Sequence, residues 1–238
     1  MQQRLLAIQQ TISSAAERSG RGADEVALIA VSKTRSLAEV QEAIACGQTQ
    51  FGENQIQDAL TKMAVCPFPQ AEWHFIGHLQ SNKIKYIPGN FQWLHTLDSI
   101  KLATKLNTAL QNANIAAPLN CLLQVNVSEE KTKSGLRVKE VNEVLGKLLE
   151  AKLSMLSLRG LMTIGVQGDE SQTRAAFREL RELRDRCREE FNLPGFDQLS
   201  MGMSGDFEIA IEEGSTMVRI GTRLFGERNY TNKLLVRK

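Results

Sequence analysis

Net charge, cysteine and long apolar runs are all scarce in this sequence, and each shortage excludes a class of protein. With 29 Lys and Arg against 27 Asp and Glu, the formal net charge is only +2, which is too small to hold nucleic acid by phosphate neutralisation. The 4 cysteines form no C-x-x-C pair, so we expect reduced thiols in a cytoplasmic protein. No apolar run is long enough for a membrane span or a signal peptide, so neither membrane insertion nor export is expected.

The composition is otherwise that of an ordinary globular domain. Hydrophobic residues make up 42% and charged residues 24% of the 238 positions, which excludes a disordered or collagen-like chain. Proline, glycine and serine are nowhere concentrated enough for an interdomain linker, and no internal repeat is visible. We therefore expect residues 1–238 to form a single domain and the protein to be a monomer.

Short apolar runs alternate with longer stretches of helical period, which predicts βα units around a parallel sheet. An extra amphipathic helix is expected first, over 3–19. Strands are expected at 26–31, 50–52, 74–77, 93–97, 119–127, 158–164, 198–201 and 218–220. Helices are expected at 37–46, 55–63, 81–87, 100–112, 139–152, 171–191, 206–213 and, as a short one, after Tyr230. Eight such repeats predict a (β/α)₈ TIM barrel; a doubly wound open sheet is the alternative, although it leaves two strands without a role.

In such a barrel the ligand lies at the carboxyl ends of the strands. Lys33 follows the first strand directly, an unusual place for an ammonium group because the strand is buried on both faces. Its side chain can reach solvent or pair with a carboxylate. Alternatively, it is a desolvated amine suited to forming an imine with an aldehyde.

The last two strand ends carry small residues suited to binding a phosphate. Ser204 and Gly205 follow the seventh strand, and Gly221 and Thr222 follow the eighth. Loops after strands seven and eight often form the phosphate site of a TIM barrel. Arg219 lies within the eighth strand, and we expect its guanidinium to point into the barrel.

Other strand ends carry polar residues whose roles are less specific. Asn54 can cap a helix or direct its amide toward a bound ring. His78 is expected to line the barrel mouth, and no acidic or cysteine partner nearby completes a zinc site with His74. Met162 and Thr163 can face a ligand at the end of the sixth strand.

Six ordered strings resemble the pyridoxal-phosphate homeostasis protein family, whose members are single-domain barrels similar to the N-terminal domain of alanine racemase. They are Ala-Val-Ser-Lys-Thr at 30–34, Phe-Gly-Glu-Asn at 51–54, His-Phe-Ile-Gly-His-Leu-Gln-Ser-Asn-Lys at 74–83, Gly-Leu-Met at 160–162, Leu-Ser-Met-Gly-Met-Ser at 199–204 and Val-Arg-Ile-Gly-Thr at 218–222. The likeness covers about 26–226. The sequence departs from the family at Arg35-Ser36 and at Gly205.

The resemblance implies a bound cofactor, pyridoxal 5′-phosphate (PLP), and a role for each matching residue. Lys33 would carry the Schiff base, and Arg219 would face the pyridine nitrogen. The phosphate would be held at Ser204, Gly205, Gly221 and Thr222. The ring pocket would be lined by Asn54, His78, Met162 and Met201. No metal is implied.

Three functions remain open at this stage. The resemblance implies intracellular PLP homeostasis, in which the protein buffers the cofactor and delivers it to apoenzymes without a robust catalytic activity. A permanently charged arginine beside the pyridine nitrogen fits that inertness, because it disfavours the protonated ring that acts as an electron sink. A weak PLP-dependent amino-acid racemase or decarboxylase is the enzymatic alternative. A phosphosugar enzyme whose substrate forms an imine with Lys33 is the third.

Overall fold

The computed structural model describes residues 1–65, 70–128, 130, 134–165 and 169–227. The expected short helix after Tyr230 and the cysteine at position 66 lie outside these residues. None of the helices in the described ranges combines the length and the apolar character needed to span a bilayer.

Nine parallel strands occur in the described residues, and eight of them close into a barrel. The strands are β1 (Ala27–Val31), β2 (Gln50–Glu53), β3 (Glu72–Phe75), β4 (Trp93–Leu97), β5 (Leu119–Asn126), β6 (Leu136–Arg137), β7 (Leu156–Met162), β8 (Gln198–Met203) and β9 (Met217–Ile220). Neighbours run in the order β4, β3, β2, β1, β9, β8, β7, β5, and pairing of β4 with β5 closes the ring. The two-residue β6 pairs only with the carboxyl end of β5.

Helices surround the barrel and connect its strands. They are α1 (Gln2–Arg18), α2 (Leu37–Ala45), α3 (Ile56–Val65), α4 (Ile100–Asn112), α5 (Val141–Glu150), α6 (Glu170–Glu190), α7 (Phe207–Glu212) and α8 (Thr222–Phe225), with 3₁₀ turns at Ala23–Glu25, Ser81–Tyr86 and Val138–Glu140. Local signals fix several boundaries. Ser36 caps α2, for example, by accepting a hydrogen bond from the Glu39 N–H, while the Glu39 carboxylate accepts one from the Ser36 N–H.

The predicted TIM barrel with an extra N-terminal helix is therefore confirmed. Three details differ from the prediction. The expected helix at 81–87 is a 3₁₀ turn, the strand β6 was not expected, and a short helix α8 follows β9 directly. A two-residue strand carries too little periodicity to be recognised, and a six-residue helical pattern does not distinguish a 3₁₀ turn from an α-helix.

Strand alternation divides the buried residues into two layers. Ile29, Trp93, Leu122, Met162 and Met217 pack together inside the barrel. A much larger apolar cluster fills the space between the strands and the helices and includes their alternate neighbours, such as Ala30, Val218 and Leu199. The barrel interior is thus a packed core, and a ligand can bind only above it, at the mouth of the barrel.

Candidate functional site

A pocket of about 280 Å³ lies at the carboxyl ends of β1, β8 and β9. The sequence placed the ligand at this end of the barrel, and the pocket brings together residues from the first, seventh and eighth βα units of that prediction. Its walls are formed by Val31, Lys33, Arg35, Ile76, Met203, Ser204, Gly205, Arg219, Gly221 and Thr222.

The alternation of β1 directs Lys33 into this pocket. Ile29 packs inside the barrel, and Val31 and Lys33 both line the pocket, so the same face of the strand continues past its end. Thr34 then takes the left-handed conformation, with φ 65°, which is costly for a β-branched residue. Its N–H points at Asp58 Oδ2, 3.4 Å away. The turn that presents Lys33 is therefore a constrained one.

A buried ion-pair cluster fastens this turn from outside the barrel. Lys62 of α3 is 3% exposed, and its Nζ donates to Glu53 Oε1 at 2.6 Å, to the Ser32 carbonyl at 2.8 Å and to Asp58 Oδ2 at 2.9 Å. Ser32 Oγ also donates to Glu53 Oε1, at 2.6 Å. Burial raises the pKa of Glu53, and Lys62 opposes that rise. The residue before Lys33 is thus held through both its carbonyl and its hydroxyl.

The loops after β8 and β9 present hydrogen-bond donors to the same pocket. Gly202 precedes the first loop with φ 94°, and a Cβ there would lie 2.5 Å from that of Ala210, so only glycine fits. Asp206 closes this turn by accepting from the Met203 N–H at 2.5 Å.

These loop donors are unused by the protein itself. Within the described ranges, no hydrogen bond uses the N–H groups of Ser204, Gly205, Gly221 or Thr222, nor the two hydroxyl groups of this set. Unsatisfied N–H groups that converge on a concave surface are a ready site for a phosphate.

Arg219 forms the floor of the pocket, 4% exposed. Its guanidinium donates to Ser200 Oγ at 2.6 Å and to the Thr163 carbonyl at 2.8 Å. Burial lowers its pKa to about 10, and the negative charge of Asp206 acts in the opposite direction. In the described part of the chain no carboxylate lies within ion-pair distance of this arginine, whose guanidinium contacts a hydroxyl and a carbonyl, so no direct ion pair neutralises the positive charge that it brings to the pocket.

Arg35 also lines the pocket, although no site role was predicted for it. It is 9% exposed. Its guanidinium donates to the carbonyls of Phe225, Gly226 and Glu227 and also lies 5.6 Å from the centre of the Phe225 ring. The arginine therefore fixes the end of α8, and with it the loop that contains Gly221 and Thr222.

The pocket brings together Lys33, Ser204, Gly205, Arg219, Gly221 and Thr222 of the predicted site, and the other four predicted residues lie elsewhere. Met162 packs inside the barrel, below the pocket. Met201 is buried among the helix-facing residues, because its neighbour Ser200 takes the inward position of β8. His78 is exposed, and Asn54 is half-buried with its carbonyl against Gly77.

Met203 and Ile76 line the pocket in place of those residues. Met203 lies two positions after Met201, and regular alternation would turn both side chains to the same face of β8. The register of β8 against β9 shifts between Ser200 and Met203, where three steps along β8 match two along β9. This irregularity turns Met203 toward the pocket. Ile76 directly follows β3. A position at a strand end is a sign of a pocket residue, but apolar residues are too common at strand ends for this sign to single out Ile76.

This chain is similar to known proteins over nearly its whole length. Residues 4–229 match the family model described as alanine racemase, N-terminal domain. Proteins named pyridoxal phosphate homeostasis protein from Escherichia coli and Haemophilus influenzae are each 42% identical, with 96% and 97% of this chain and 97% of each relative covered. Among solved structures, PipY of Synechococcus elongatus without PLP is 33% identical, with a TM-score of 0.85 over 95% of this chain and 100% of that one. The same protein with PLP bound has a TM-score of 0.79, with 90% and 100% covered.

More distant structures share the fold alone. An alanine racemase from Clostridium difficile is 13% identical, with a TM-score of 0.70 over 93% of this chain and 56% of its own length.

Proposed function

Because this chain belongs to the pyridoxal phosphate homeostasis protein family, we propose that its pocket holds pyridoxal 5′-phosphate as a Schiff base on Lys33. The observation that carries the proposal is the convergence of Lys33, Arg219 and the unused donors of two loops on one pocket. An aldehyde needs an amine, a phosphate needs hydrogen-bond donors, and the pocket supplies both. PipY, a relative of the same fold, has been solved with PLP bound.

The residues present fit this cofactor. The hydroxyls of Ser204 and Thr222, with the N–H groups beside them, are proposed to bind the phosphate, since charge-assisted donors of this kind are the usual phosphate ligands. Gly221 lets the backbone come close, because a Cβ there would lie 3.3 Å from the Val31 carbonyl. Val31, Ile76 and Met203 supply apolar walls suited to an aromatic ring.

Arg219 explains why such a protein would retain the cofactor without strong catalysis. When bound, PLP supplies an electron sink whose strength depends on protonation of its ring nitrogen. A buried cation facing that nitrogen disfavours its protonation by like-charge repulsion. We therefore propose a cofactor carrier that acts inside the cell, limits the free aldehyde and delivers it to apoenzymes. Residues 1–238 would serve this role as one domain.

The decisive experiment is the intact mass of the purified protein after loading with PLP and reduction with borohydride. We expect one added cofactor, located on Lys33 by peptide mapping, and a visible absorbance that reduction removes. Lys33→Ala should lose the adduct but keep a weaker, noncovalent affinity, since the phosphate contacts are separate. Lys85→Ala, at an exposed position outside the pocket, is the matched control.

Two outcomes would contradict the proposal. A wild-type level of reduced adduct in Lys33→Ala would place the Schiff base elsewhere, and absence of any adduct in the wild type would exclude a Schiff base. Transfer is tested separately, by the activity that an added PLP-dependent apoenzyme gains from the loaded protein. Turnover of free amino acids by the loaded protein would instead indicate the racemase or decarboxylase alternative.

A further inference from the structure

A line of four buried polar side chains runs from the pocket floor through the barrel interior. Arg219 Nη1 lies 2.6 Å from Ser200 Oγ, Ser200 Oγ lies 2.9 Å from His95 Nδ1, and His95 Nε2 lies 2.9 Å from His74 Nδ1. Both histidines and Ser200 are fully buried. His74 stacks on Trp93, with ring centres 5.6 Å apart. These groups come from four strands and have no part in the pocket described above, apart from Arg219.

The hydrogen bonds of this line can be assigned a direction. Arginine only donates, so Ser200 Oγ accepts from Arg219. The hydroxyl proton of Ser200 then goes to His95 Nδ1, because no other acceptor contacts it in the described residues. A neutral imidazole has one donor and one acceptor, so His95 donates from Nε2 to His74 Nδ1. His74 is left with its proton on Nε2.

The line ends at a carboxylate on the opposite side of the barrel. Glu72 begins β3, at the amino end of the strands, and its Oε2 lies 3.9 Å from His74 Nε2. Its other oxygen accepts from Trp93 Nε1 at 2.7 Å. His74 Nε2 itself is buried and has no hydrogen-bond partner in the described residues, so the carboxylate is the acceptor toward which its proton points.

Every acceptor in the line therefore faces Arg219, and every donor faces Glu72. Such an ordered chain polarises in one direction and places the negative end of each dipole toward the buried cation. Burial also lowers the pKa of both histidines, that of His74 to about 3, so both imidazoles stay neutral beside the Arg219 cation. The other charged groups around Arg219 are Asp206, behind the β8 loop, and Lys33 and Arg35 on the pocket wall.

We propose that His95, acting through Ser200, is a positioning residue that holds the Arg219 cation fixed and stabilised beneath the pocket. His74 and Glu72 complete the chain. This inference rests on the proposed function, because the effect of a fixed cation there is to keep the ring nitrogen of bound PLP unprotonated.

The apoprotein gives a first test that is independent of the cofactor. Two-bond hydrogen–nitrogen correlation spectra of nitrogen-15-labelled protein report the tautomer of each histidine. We expect His74 and His95 to carry their proton on Nε2 and to remain neutral from about pH 8 down to about pH 5, across the range where an exposed histidine titrates. A proton on Nδ1 of either residue, or an imidazolium in this range, overturns the proposal. Failure of the protein to bind PLP would not affect this result.

The second test follows the ring nitrogen of nitrogen-15-labelled PLP bound to chain variants. In Ser200→Ala and His95→Leu, we expect the midpoint pH of ring-nitrogen protonation to rise by roughly one unit or more. The reason is that the Arg219 guanidinium is then no longer held in place below the ring nitrogen. Ser215→Ala is the matched control, since among the described residues this fully buried serine hydroxyl contacts only backbone carbonyls of β8 and β9. It should titrate like the wild type.

Equal midpoints in Ser200→Ala and Ser215→Ala would overturn the proposal. If His95→Leu does not fold, Ser200→Ala alone tests the proposal. That variant removes only the hydroxyl oxygen that connects His95 to Arg219. If neither variant retains cofactor while Ser215→Ala does, the proposal is tested by the tautomers of His74 and His95 in the wild-type apoprotein.

Discussion

Replacing Lys62 by methionine should destabilise the protein by about 3–5 kcal/mol, the usual cost of removing one partner from a buried ion pair. Methionine fills nearly the same volume, so the loss reports charge and hydrogen bonding more than packing. In the wild type Lys62 Nζ has three acceptors within 2.9 Å. Without it the carboxylate of Glu53, fully buried, keeps only the Ser32 hydroxyl, and its Oε2 already lacks a partner in the described residues.

The pH dependence of this loss has a defined sign. Burial already raises the pKa of Glu53, and losing the lysine should raise it further. A carboxyl group with a raised native pKa binds more protons when folded, so its stabilising contribution is present at low pH and is lost as the pH rises through that pKa. The Lys62→Met variant should therefore be least impaired near pH 4 and most impaired near pH 8.

Urea unfolding followed by tryptophan fluorescence measures both effects, and two further variants make the result specific. Adding Glu53→Gln to Lys62→Met should recover much of the loss, because the unpaired charge is then gone. Lys147→Met removes another lysine paired at i,i+4, but at an exposed position, and should leave the urea midpoint unchanged. A loss below about 1 kcal/mol, or a double variant no more stable than Lys62→Met, would refute the reasoning.

Three further predictions test the pocket, the interior and the β8 turn. Ser204→Ala and Thr222→Ala should each weaken PLP binding by about 1–3 kcal/mol while the Schiff base still forms at high cofactor concentration; unchanged dissociation constants in both would place the phosphate elsewhere. His74 has its pKa lowered to about 3, so stability should fall as the pH drops below about 6.5, by up to about 5 kcal/mol; a urea midpoint that is flat between pH 7 and pH 5 would contradict this. Gly202→Ala should lower the melting temperature because φ is 94° and its Cβ would meet Ala210, whereas Gly205→Ala, with open space around it, should not.

The barrel could be predicted from the sequence because each βα repeat has a local pattern, an apolar run followed by residues of helical period. The sequence also predicted which strand ends meet, because the barrel topology alone places Lys33, Ser204 and Thr222 at one mouth. Side-chain direction was harder to predict. The resemblance implied Met201, but the register shift between Ser200 and Met203 leaves Met201 facing the helices and turns Met203 toward the pocket. A shift of this kind leaves no mark in the alternation of the sequence.

The line of polar side chains from Arg219 to His74 could not be predicted from the spacing of residues in the sequence. His74 was compared with His78, four residues away, but its actual partner is His95, 21 positions later on the next strand. His74 lies between Trp73 and Phe75 in its strand, which is a usable sign of an inward polar residue, whereas His95 has the polar Thr96 on one side. Their pairing depends on the register of β3 and β4, where His74 lies opposite Trp93. Register of this kind is set by packing in three dimensions.

Lys62 and Arg219 are both buried cations, but they are stabilised in different ways, and the difference follows from where each one lies. Lys62 is outside the barrel and contacts carboxylates directly. Arg219 lies at the pocket floor and contacts a hydroxyl and a carbonyl instead. A carboxylate in direct contact with Arg219 would neutralise it and would favour a protonated ring nitrogen in any pyridine bound above. Stabilising the arginine through Ser200, His95 and His74 keeps the nearest acid of that line, Glu72, at the far end of the barrel, so the pocket retains its positive charge.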